Sequence, residues 1–115
     1  MNTDVMQRYI TEGNAVLERM EAESLRANAL SQELLMTLIR HNQDTAYGRK
    51  YSFREIQSYA DYAARVPLSS YEDYEPYVER MLCLNKEKLL TADKVVYFAH
   101  TSGTTGTSKM IPCTR

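Results

Sequence analysis

The residues best suited to chemistry lie close together near the end of the chain, from Thr101 to Lys109. This stretch, Thr-Ser-Gly-Thr-Thr-Gly-Thr-Ser-Lys, combines hydroxyl side chains with two glycines and one lysine. Glycine lets the backbone adopt positive φ angles and approach an anion closely, and the free N–H groups of such a turn can form an anion-binding concavity. Hydroxyl groups donate hydrogen bonds to phosphate oxygens, and the ammonium group of Lys109 adds a point charge. The pattern therefore predicts a loop that binds a polyphosphate.

Two extended segments are expected to hold this loop. Residues 95–99, Val-Val-Tyr-Phe-Ala, are β-branched and aromatic, which favours a strand. Met110 and Ile111 are also expected to be extended, because Pro112 follows too soon for a helix to form. The predicted local architecture is strand, phosphate loop, strand.

The spacing of the loop residues excludes the two commonest nucleotide motifs. A Walker loop requires glycine directly before the lysine and serine or threonine directly after it. Lys109 instead stands between Ser108 and Met110. A Rossmann fingerprint requires Gly-x-Gly-x-x-Gly, and the chain has only the last pair of that spacing, Gly103 and Gly106.

The chain before the loop is expected to be helical as far as residue 85. Apolar residues at helical spacing predict one helix over residues 4–29, in which Gly13 allows a break, and a second over residues 32–41 with Ser31 as its N-cap. The apolar side chains of both helices are expected to face a core. They include Met6 and Met20 on the first helix, and Leu34, Leu35, Leu38 and Ile39 on the second.

Shorter elements are expected between these helices and the loop. Residues 42–51 are predicted to be a connection, with Gly48 as a candidate for positive φ. Pro76 is tolerated only in the first turn of a helix, so a regular helix is expected to begin near Tyr74. Three pairs of serine and acid also suit helix starts: Ser52 with Glu55, Ser58 with Asp61, and Ser70 with Asp73.

The composition limits the classes of function. The chain has 115 residues and a net charge of −1, which suits one small domain and gives no reason to expect nucleic acid or an anionic membrane as a partner. No apolar run is long enough to span a bilayer and the N-terminus lacks a secretory signal, so a cytoplasmic location is expected. Cys83 and Cys113 are isolated from each other and from both histidines, so we expect free buried thiols and no metal site. The tyrosines concentrate between Tyr47 and Tyr77 and are expected to pack in the core with their hydroxyl groups at its rim.

The loop motif also resembles that of a known superfamily. Thr-Ser-Gly-Thr-Thr-Gly-x-x-Lys, residues 101–109, is similar to the phosphate-binding loop of acyl-adenylate-forming enzymes, which include acyl-CoA ligases, luciferases and peptide-synthetase adenylation domains. Those enzymes usually have glycine after the lysine, whereas this chain has Met110-Ile111-Pro112. The ending Lys-x-x-Pro resembles the GH3 family of acyl-acid amido synthetases.

The residues before the loop resemble the N-terminal region of the same family, so that the similarity covers roughly residues 34–112. Two departures stand out. Asn85-Lys86 replaces an expected Gly-Glu in a turn, and the loop has a compact spacing where plant members often carry one more residue, so no plant-hormone substrate is assigned. The similar residues are Asn42, Asp44-Thr45, Tyr47-Gly48-Arg49-Lys50, Phe53, Ile56, Val66-Pro67-Leu68, Tyr71-Glu72-Asp73, Pro76-Tyr77, Glu79-Arg80, Leu90-Thr91 and Phe98.

The resemblance implies an α/β adenylate-forming enzyme. This chain, α+β by itself, would be the incomplete N-terminal part of its adenylating domain, helical over residues 1–85 and with the nucleotide loop within 89–115. In the implied reaction a carboxylic acid attacks the α-phosphate of ATP, and an amine such as an amino acid then displaces AMP. Lys109 would neutralise charge during catalysis, and Mg²⁺ would bridge the phosphates. The implied ATP-binding residues are Thr101, Ser102, Gly103, Thr104, Thr105 and Gly106.

Two alternatives remain open at this point. One is an acyl-CoA ligase of the broader superfamily, which would transfer the acyl group to a thiol. The other is a truncated fragment without catalytic activity. The pockets for the acid and the amine and the carboxylate that binds the metal ion are expected downstream, so the 115 residues alone are expected not to catalyse adenylation.

Overall fold

The computed structural model describes residues 3–104 and 106–115. This described part is α+β, as predicted, because helices are followed by a two-stranded antiparallel sheet. Its contacts divide the chain into two compact units, one ending at Leu34 and one beginning at Leu35. The elements are α1 (Thr3–Ser24), α2 (Ala27–His41), α3 (Ala46–Lys50), a 3₁₀ turn (Phe53–Glu55), α4 (Tyr59–Arg65), α5 (Tyr71–Leu84), β1 (Tyr97–His100) and β2 (Met110–Cys113).

The boundary between the first two helices differs from the prediction. Helix α1 continues through Gly13 and ends at Ser24, whose hydroxyl group donates to the carbonyl oxygen of Glu21 at 2.7 Å. Serine competes in this way with the helical hydrogen bonds of the backbone and favours an end. Helix α2 then begins at Ala27, so Ser31 lies inside it, and its prediction as an N-cap was wrong.

The predicted burial of the first two helices was mostly wrong. Helix α1 buries none of its described residues, and the side chains of Met6 and Met20 are 42% and 59% exposed. In α2 only Ile39 is buried, whereas Leu34 and Leu38 are exposed. Helical spacing identifies an apolar face but does not show whether another element covers it.

The core of the second unit forms around three buried side chains, those of Ile39, Phe53 and Ile56. Tyr47 packs beside them, and the centroids of four aromatic rings lie 4.7–6.0 Å from the centroid of its own ring. These distances are typical of tilted and edge-to-face aromatic pairs. The hydroxyl group of Tyr47 contacts that of Tyr74 at 3.5 Å, so the prediction of packed tyrosines with rim hydroxyls is confirmed for this cluster.

Residues 42–51, which were predicted to be a connection, contain the short helix α3. We call residues 42–48 the corner before α3. Thr45 caps α3, since its hydroxyl oxygen accepts from the N–H of Gly48 at 2.9 Å. Gly48 is helical and buried, so its predicted positive φ was wrong. A Cβ atom at Gly48 would lie 2.2 Å from the carbonyl oxygen of Asn42, which shows that glycine is required here for close packing.

The three predicted serine–acid caps had different outcomes. Ser58 caps α4, as predicted, because its hydroxyl oxygen accepts from the N–H of Asp61 at 3.1 Å. Ser52 makes no such cap and adopts a left-handed conformation with φ of 53° before the 3₁₀ turn. Ser70 and Asp73 form a capping box at the start of α5, as predicted, in which the N–H of Ser70 donates to the carboxylate of Asp73 at 2.8 Å.

Helix α5 begins earlier than predicted. It starts at Tyr71, so Pro76 lies inside the helix and not in its first turn. The missing N–H of Pro76 deprives the carbonyl group of Glu72 of a helical partner. Glu72 lies at the exposed start of the helix, where water can take that place.

The sheet has the register that the predicted strand–loop–strand requires. Tyr97 pairs with Cys113 and His100 with Met110. Strand β1 therefore begins two residues later and ends one residue later than the predicted strand over residues 95–99. Pro112 lies within β2, opposite Phe98. Cys113 is partly buried, but Cys83 is exposed, so its predicted burial was wrong. Within residues 3–104 and 106–115, no helix is long and apolar enough to cross a membrane.

Candidate functional site

The loop between β1 and β2 is closed at its base by hydrogen bonds that involve Thr101. The N–H of Thr101 donates to the carbonyl oxygen of Lys109 at 3.0 Å. In return, the hydroxyl oxygen of Thr101 accepts from the N–H of Lys109 at 2.8 Å. The hydroxyl group of Ser108 donates to the carbonyl oxygen of Thr101 at 2.7 Å. These bonds fix the two ends of the loop side by side.

The two glycines of the loop have conformations that other residues rarely adopt. Gly103 has a φ of 65°, and its carbonyl oxygen accepts from the N–H of Gly106 at 3.2 Å. A Cβ atom at Gly103 would lie 3.1 Å from the carbonyl oxygen of Gly106 and 3.2 Å from the nitrogen of Ser108. Gly106 has a φ of 157° and open space around it. Glycine at position 103 therefore permits a turn that a side chain would strain.

A cleft of about 520 Å³ lies between this loop and the start of α5. The hydroxyl groups of Ser102 and Thr104 lie 3.4 Å from each other, and both residues are exposed. Thr105 lies outside the described residues. The structure brings the other predicted site residues to this one cleft: Thr101, Ser102, Gly103, Thr104, Gly106 and Lys109.

The opposite wall of the cleft contains three residues that the sequence did not indicate, Tyr71, Glu72 and Glu75. Their spacing in the chain places them on one side of α5, but no local pattern shows which distant loop that side faces. The tyrosines nearby were interpreted as core residues, and this interpretation holds for Tyr74 but not for Tyr71.

Charges of both signs line the cleft. The ammonium group of Lys109 lies over the ring of Tyr71, 5.4 Å from its centroid. The hydroxyl group of Ser70 lowers the pKa of the Glu72 carboxyl below its usual value, and Lys109 makes a smaller contribution. Glu72 is therefore ionised at neutral pH and opposes a bare polyanion. A divalent cation accompanying the anion would offset this repulsion, since carboxylate and phosphate oxygens are its preferred ligands.

His100 lies beside the loop at the last position of β1. Its ring nitrogen Nδ1 contacts the hydroxyl group of Ser108 at 3.4 Å. His100 is not among the residues that line the cleft. In the part of the chain that the structure describes, no three histidine, cysteine or acidic side chains form a group that could hold a metal ion.

Comparison with known protein families gives an independent indication. The model of the GH3 family N-terminal domain matches residues 16–115, which is most of the chain and includes α5, the loop and both strands.

Similar proteins come from plants. A probable indole-3-acetic acid-amido synthetase of Oryza sativa subsp. japonica is 30% identical over 112 residues, which are 90% of this chain and 24% of the relative. A jasmonoyl–L-amino acid synthetase of the same plant is 31% identical over 93 residues, 81% of this chain and 20% of the relative. A probable indole-3-acetic acid-amido synthetase of Arabidopsis thaliana is 26% identical over 97 residues, 84% of this chain and 16% of the relative. The chain therefore spans about a quarter or less of the length of these relatives.

Proposed function

The chain belongs to the GH3 family, and from this premise we propose that it supplies the ATP phosphate-binding loop of a ligase that joins a carboxylic acid to an amine. The observation that carries the proposal is the convergence of Lys109 and the loop hydroxyl groups on one cleft of about 520 Å³. A polyphosphate needs hydrogen-bond donors and a cation at the same place, and this cleft offers both.

The proposed reaction has two steps. A carboxylate oxygen attacks the α-phosphorus of MgATP, which forms an acyl-adenylate and releases pyrophosphate. The nitrogen of an amine then attacks the acyl carbon, loses a proton and displaces AMP, so that an amide forms. The chain acts in the first step by positioning and by electrostatic stabilisation, without a covalent bond to the protein.

Each part of the loop has a role in this proposal. The hydroxyl groups of Ser102 and Thr104 donate to phosphate oxygens, for which their exposure makes them available. Gly103 and Gly106 allow the backbone N–H groups to approach the phosphates. Lys109 neutralises negative charge as pyrophosphate leaves. Mg²⁺ enters with ATP as part of the substrate. Thr105 is proposed to donate as its hydroxyl neighbours do.

The substrate classes follow the names of the relatives. Those names describe the joining of indole-3-acetic acid or a jasmonoyl group to amino acids. We propose that the substrates of this protein are a small carboxylic acid and an amino acid, and that the protein acts in the cytoplasm. The compact loop gives no basis for choosing a particular plant hormone.

Acid-dependent exchange of labelled pyrophosphate into ATP tests the proposal in the full-length gene product that carries this chain. We expect exchange with a small carboxylic acid, and a loss of about tenfold or more in Lys109→Ala, because one charged contact to the phosphates is removed. Lys94→Ala is the matched control, since Lys94 is exposed and does not line the cleft.

Two results would count against the proposal. Equal exchange rates in Lys109→Ala and the wild type would remove the loop from the reaction. An acyl-CoA thioester as the product, with no amide formed from any amino acid, would favour the acyl-CoA ligase.

A further inference from the structure

The hydroxyl group of Tyr71 makes two hydrogen bonds to one residue of β2. It donates to the carbonyl oxygen of Met110 at 3.0 Å and accepts from the N–H of Met110 at 3.1 Å. In an antiparallel pair, hydrogen-bonded and non-hydrogen-bonded residue pairs alternate. The N–H of Thr101 donates to the carbonyl oxygen of Lys109, so the next pair, His100 with Met110, is a non-hydrogen-bonded pair. The backbone N–H and C=O of Met110 therefore point away from β1. A side chain of α5 thus takes the place of a third strand at the start of β2.

The first turn of α5 holds Tyr71 itself in place. Tyr71 is the first residue of the helix, and the bond from the N–H of Ser70 to the carboxylate of Asp73 closes the turn around it. The residue is half-buried, so its ring has less freedom than that of an exposed tyrosine. The contact to β2 therefore comes from a capped helix end.

The ring of the same tyrosine restricts Lys109. The Nζ atom of Lys109 lies 5.4 Å from the ring centroid, which is within the range of a cation–π interaction. The backbone N–H of Lys109 is bonded to the hydroxyl oxygen of Thr101 at 2.8 Å. Lys109 is exposed, and its long side chain would sample many rotamers without a neighbour of this kind.

We propose that Tyr71 is the positioning residue of the phosphate site. Its hydroxyl group anchors Met110, the residue after Lys109, and its ring keeps the Lys109 ammonium group on the side of the cleft. Tyr71 acts through Lys109 and β2 and makes no bond of its own to the phosphates. The identity of the ligand rests on the proposed function, whereas the placement of Lys109 rests on the contacts of Tyr71.

Two substitutions separate the contributions of the hydroxyl group and the ring. Tyr71→Phe removes both hydrogen bonds to Met110 and retains the ring beneath Lys109. Tyr71→Leu removes the bonds and the ring. Tyr74→Phe is the matched control, because Tyr74 lies on the same helix and its hydroxyl group contacts Ser69 and Tyr47 instead of the strand.

The first measurement is the dissociation constant of magnesium pyrophosphate by titration calorimetry, with the melting temperature of each variant measured alongside. We expect affinity to fall about fivefold in Tyr71→Phe and about tenfold or more in Tyr71→Leu, and to stay within about twofold in Tyr74→Phe. In a Lys109→Ala background the additional effect of Tyr71→Leu should shrink to about twofold or less, since residues that act as a unit are not additive. A wild-type affinity in both Tyr71 variants would overturn the proposal.

The second measurement does not depend on any ligand. A lysine side chain above an aromatic ring shows upfield-shifted proton signals in NMR spectra, and we expect this shift for the Lys109 methylene next to Nζ. It should persist in Tyr71→Phe and vanish in Tyr71→Leu. If the wild type binds no pyrophosphate, the proposed function fails, and the shift alone decides whether Tyr71 positions Lys109. Unshifted Lys109 signals in the wild type would overturn the positioning role whether or not pyrophosphate binds.

Discussion

Two turns of the molecule each contain a threonine whose hydroxyl oxygen accepts from a backbone N–H, but the two threonines differ in burial. In the corner before α3, the hydroxyl group of Thr45 accepts from the N–H of Gly48 and donates to the carbonyl oxygen of Asn42. In the loop after β1, the hydroxyl group of Thr101 accepts from the N–H of Lys109. Thr45 is only 1% exposed, whereas Thr101 is exposed.

Burial decides what each turn does. In the corner before α3 the hydroxyl group of Thr45 and the N–H of Gly48 make internal hydrogen bonds, and the lack of a side chain at Gly48 permits close packing. The loop between β1 and β2 keeps its exposed hydroxyl groups and Lys109 at the surface of a cleft. The buried turn therefore uses its hydroxyl group for internal hydrogen bonds, whereas the open turn also has the exposed hydroxyl groups of Ser102 and Thr104 in the same cleft as Lys109.

The largest expected effect is that of Gly48→Ala. The new Cβ atom would lie 2.2 Å from the carbonyl oxygen of Asn42 and 3.0 Å from two backbone atoms of Gln43, so the backbone must move. We expect the free energy of unfolding to fall by about 3 kcal/mol or more, measured by chemical denaturation. Gly13→Ala is the control, because Gly13 is helical and has nothing within 4 Å, and it should raise stability by about 0.5–1 kcal/mol. Equal stabilities of the two variants would contradict the packing argument.

A second, smaller effect applies one substitution to both turns. Thr45→Val leaves the buried N–H of Gly48 without its partner and should cost about 2 kcal/mol. Thr101→Val exposes the N–H of Lys109 to water, which replaces the lost acceptor, so the cost should be about 0.5 kcal/mol. Denaturant midpoints of the two variants provide the measurement. A reversed order would show that burial does not distinguish the two turns.

The smallest effect concerns charge at the outer side of the corner. The hydrogen bond from Arg54 to Asp44 lowers the pKa of the Asp44 carboxyl below its usual 3.8. A carboxyl with a lowered pKa in the folded protein stabilises it above pH 3.8, and this contribution is lost as the pH falls through the folded-state value. An NMR titration should show the low pKa in the wild type and its return toward 3.8 in Arg54→Met. Arg65→Met, which removes a cation that pairs with Glu55 in the same unit, should leave the Asp44 pKa unchanged, and a shift there would contradict the assignment to Arg54.

Local patterns predicted the strand–loop–strand well. The β-branched and aromatic residues before the loop gave β1 to within a few residues, and the serine–acid pair at Ser58 gave a cap of α4. Both predictions depend on only a few consecutive residues, because strand preference and helix capping are determined by interactions between neighbours in the chain.

Features that depend on distant contacts could not be predicted. The buried position of Gly48 depends on the carbonyl group of Asn42 in a folded corner, and the cleft wall depends on the approach of α5 to the loop. The apolar residues of α1 have helical spacing, yet Met6 and Met20 are exposed. Their burial was predicted wrongly because periodicity does not specify a partner surface. In each case the missing information is the position of a second element.

An NMR titration of the protein with MgATP, followed through its backbone amide signals, tests whether the loop after β1 binds the phosphates. We predict that the largest shifts fall on the amides of the loop after β1 and on Tyr71, and that Lys109→Ala weakens binding about tenfold or more at an unchanged melting temperature. Shifts confined to the tyrosine cluster around Tyr47, or equal affinity in Lys109→Ala and the wild type, would contradict the assignment of this loop as the phosphate site.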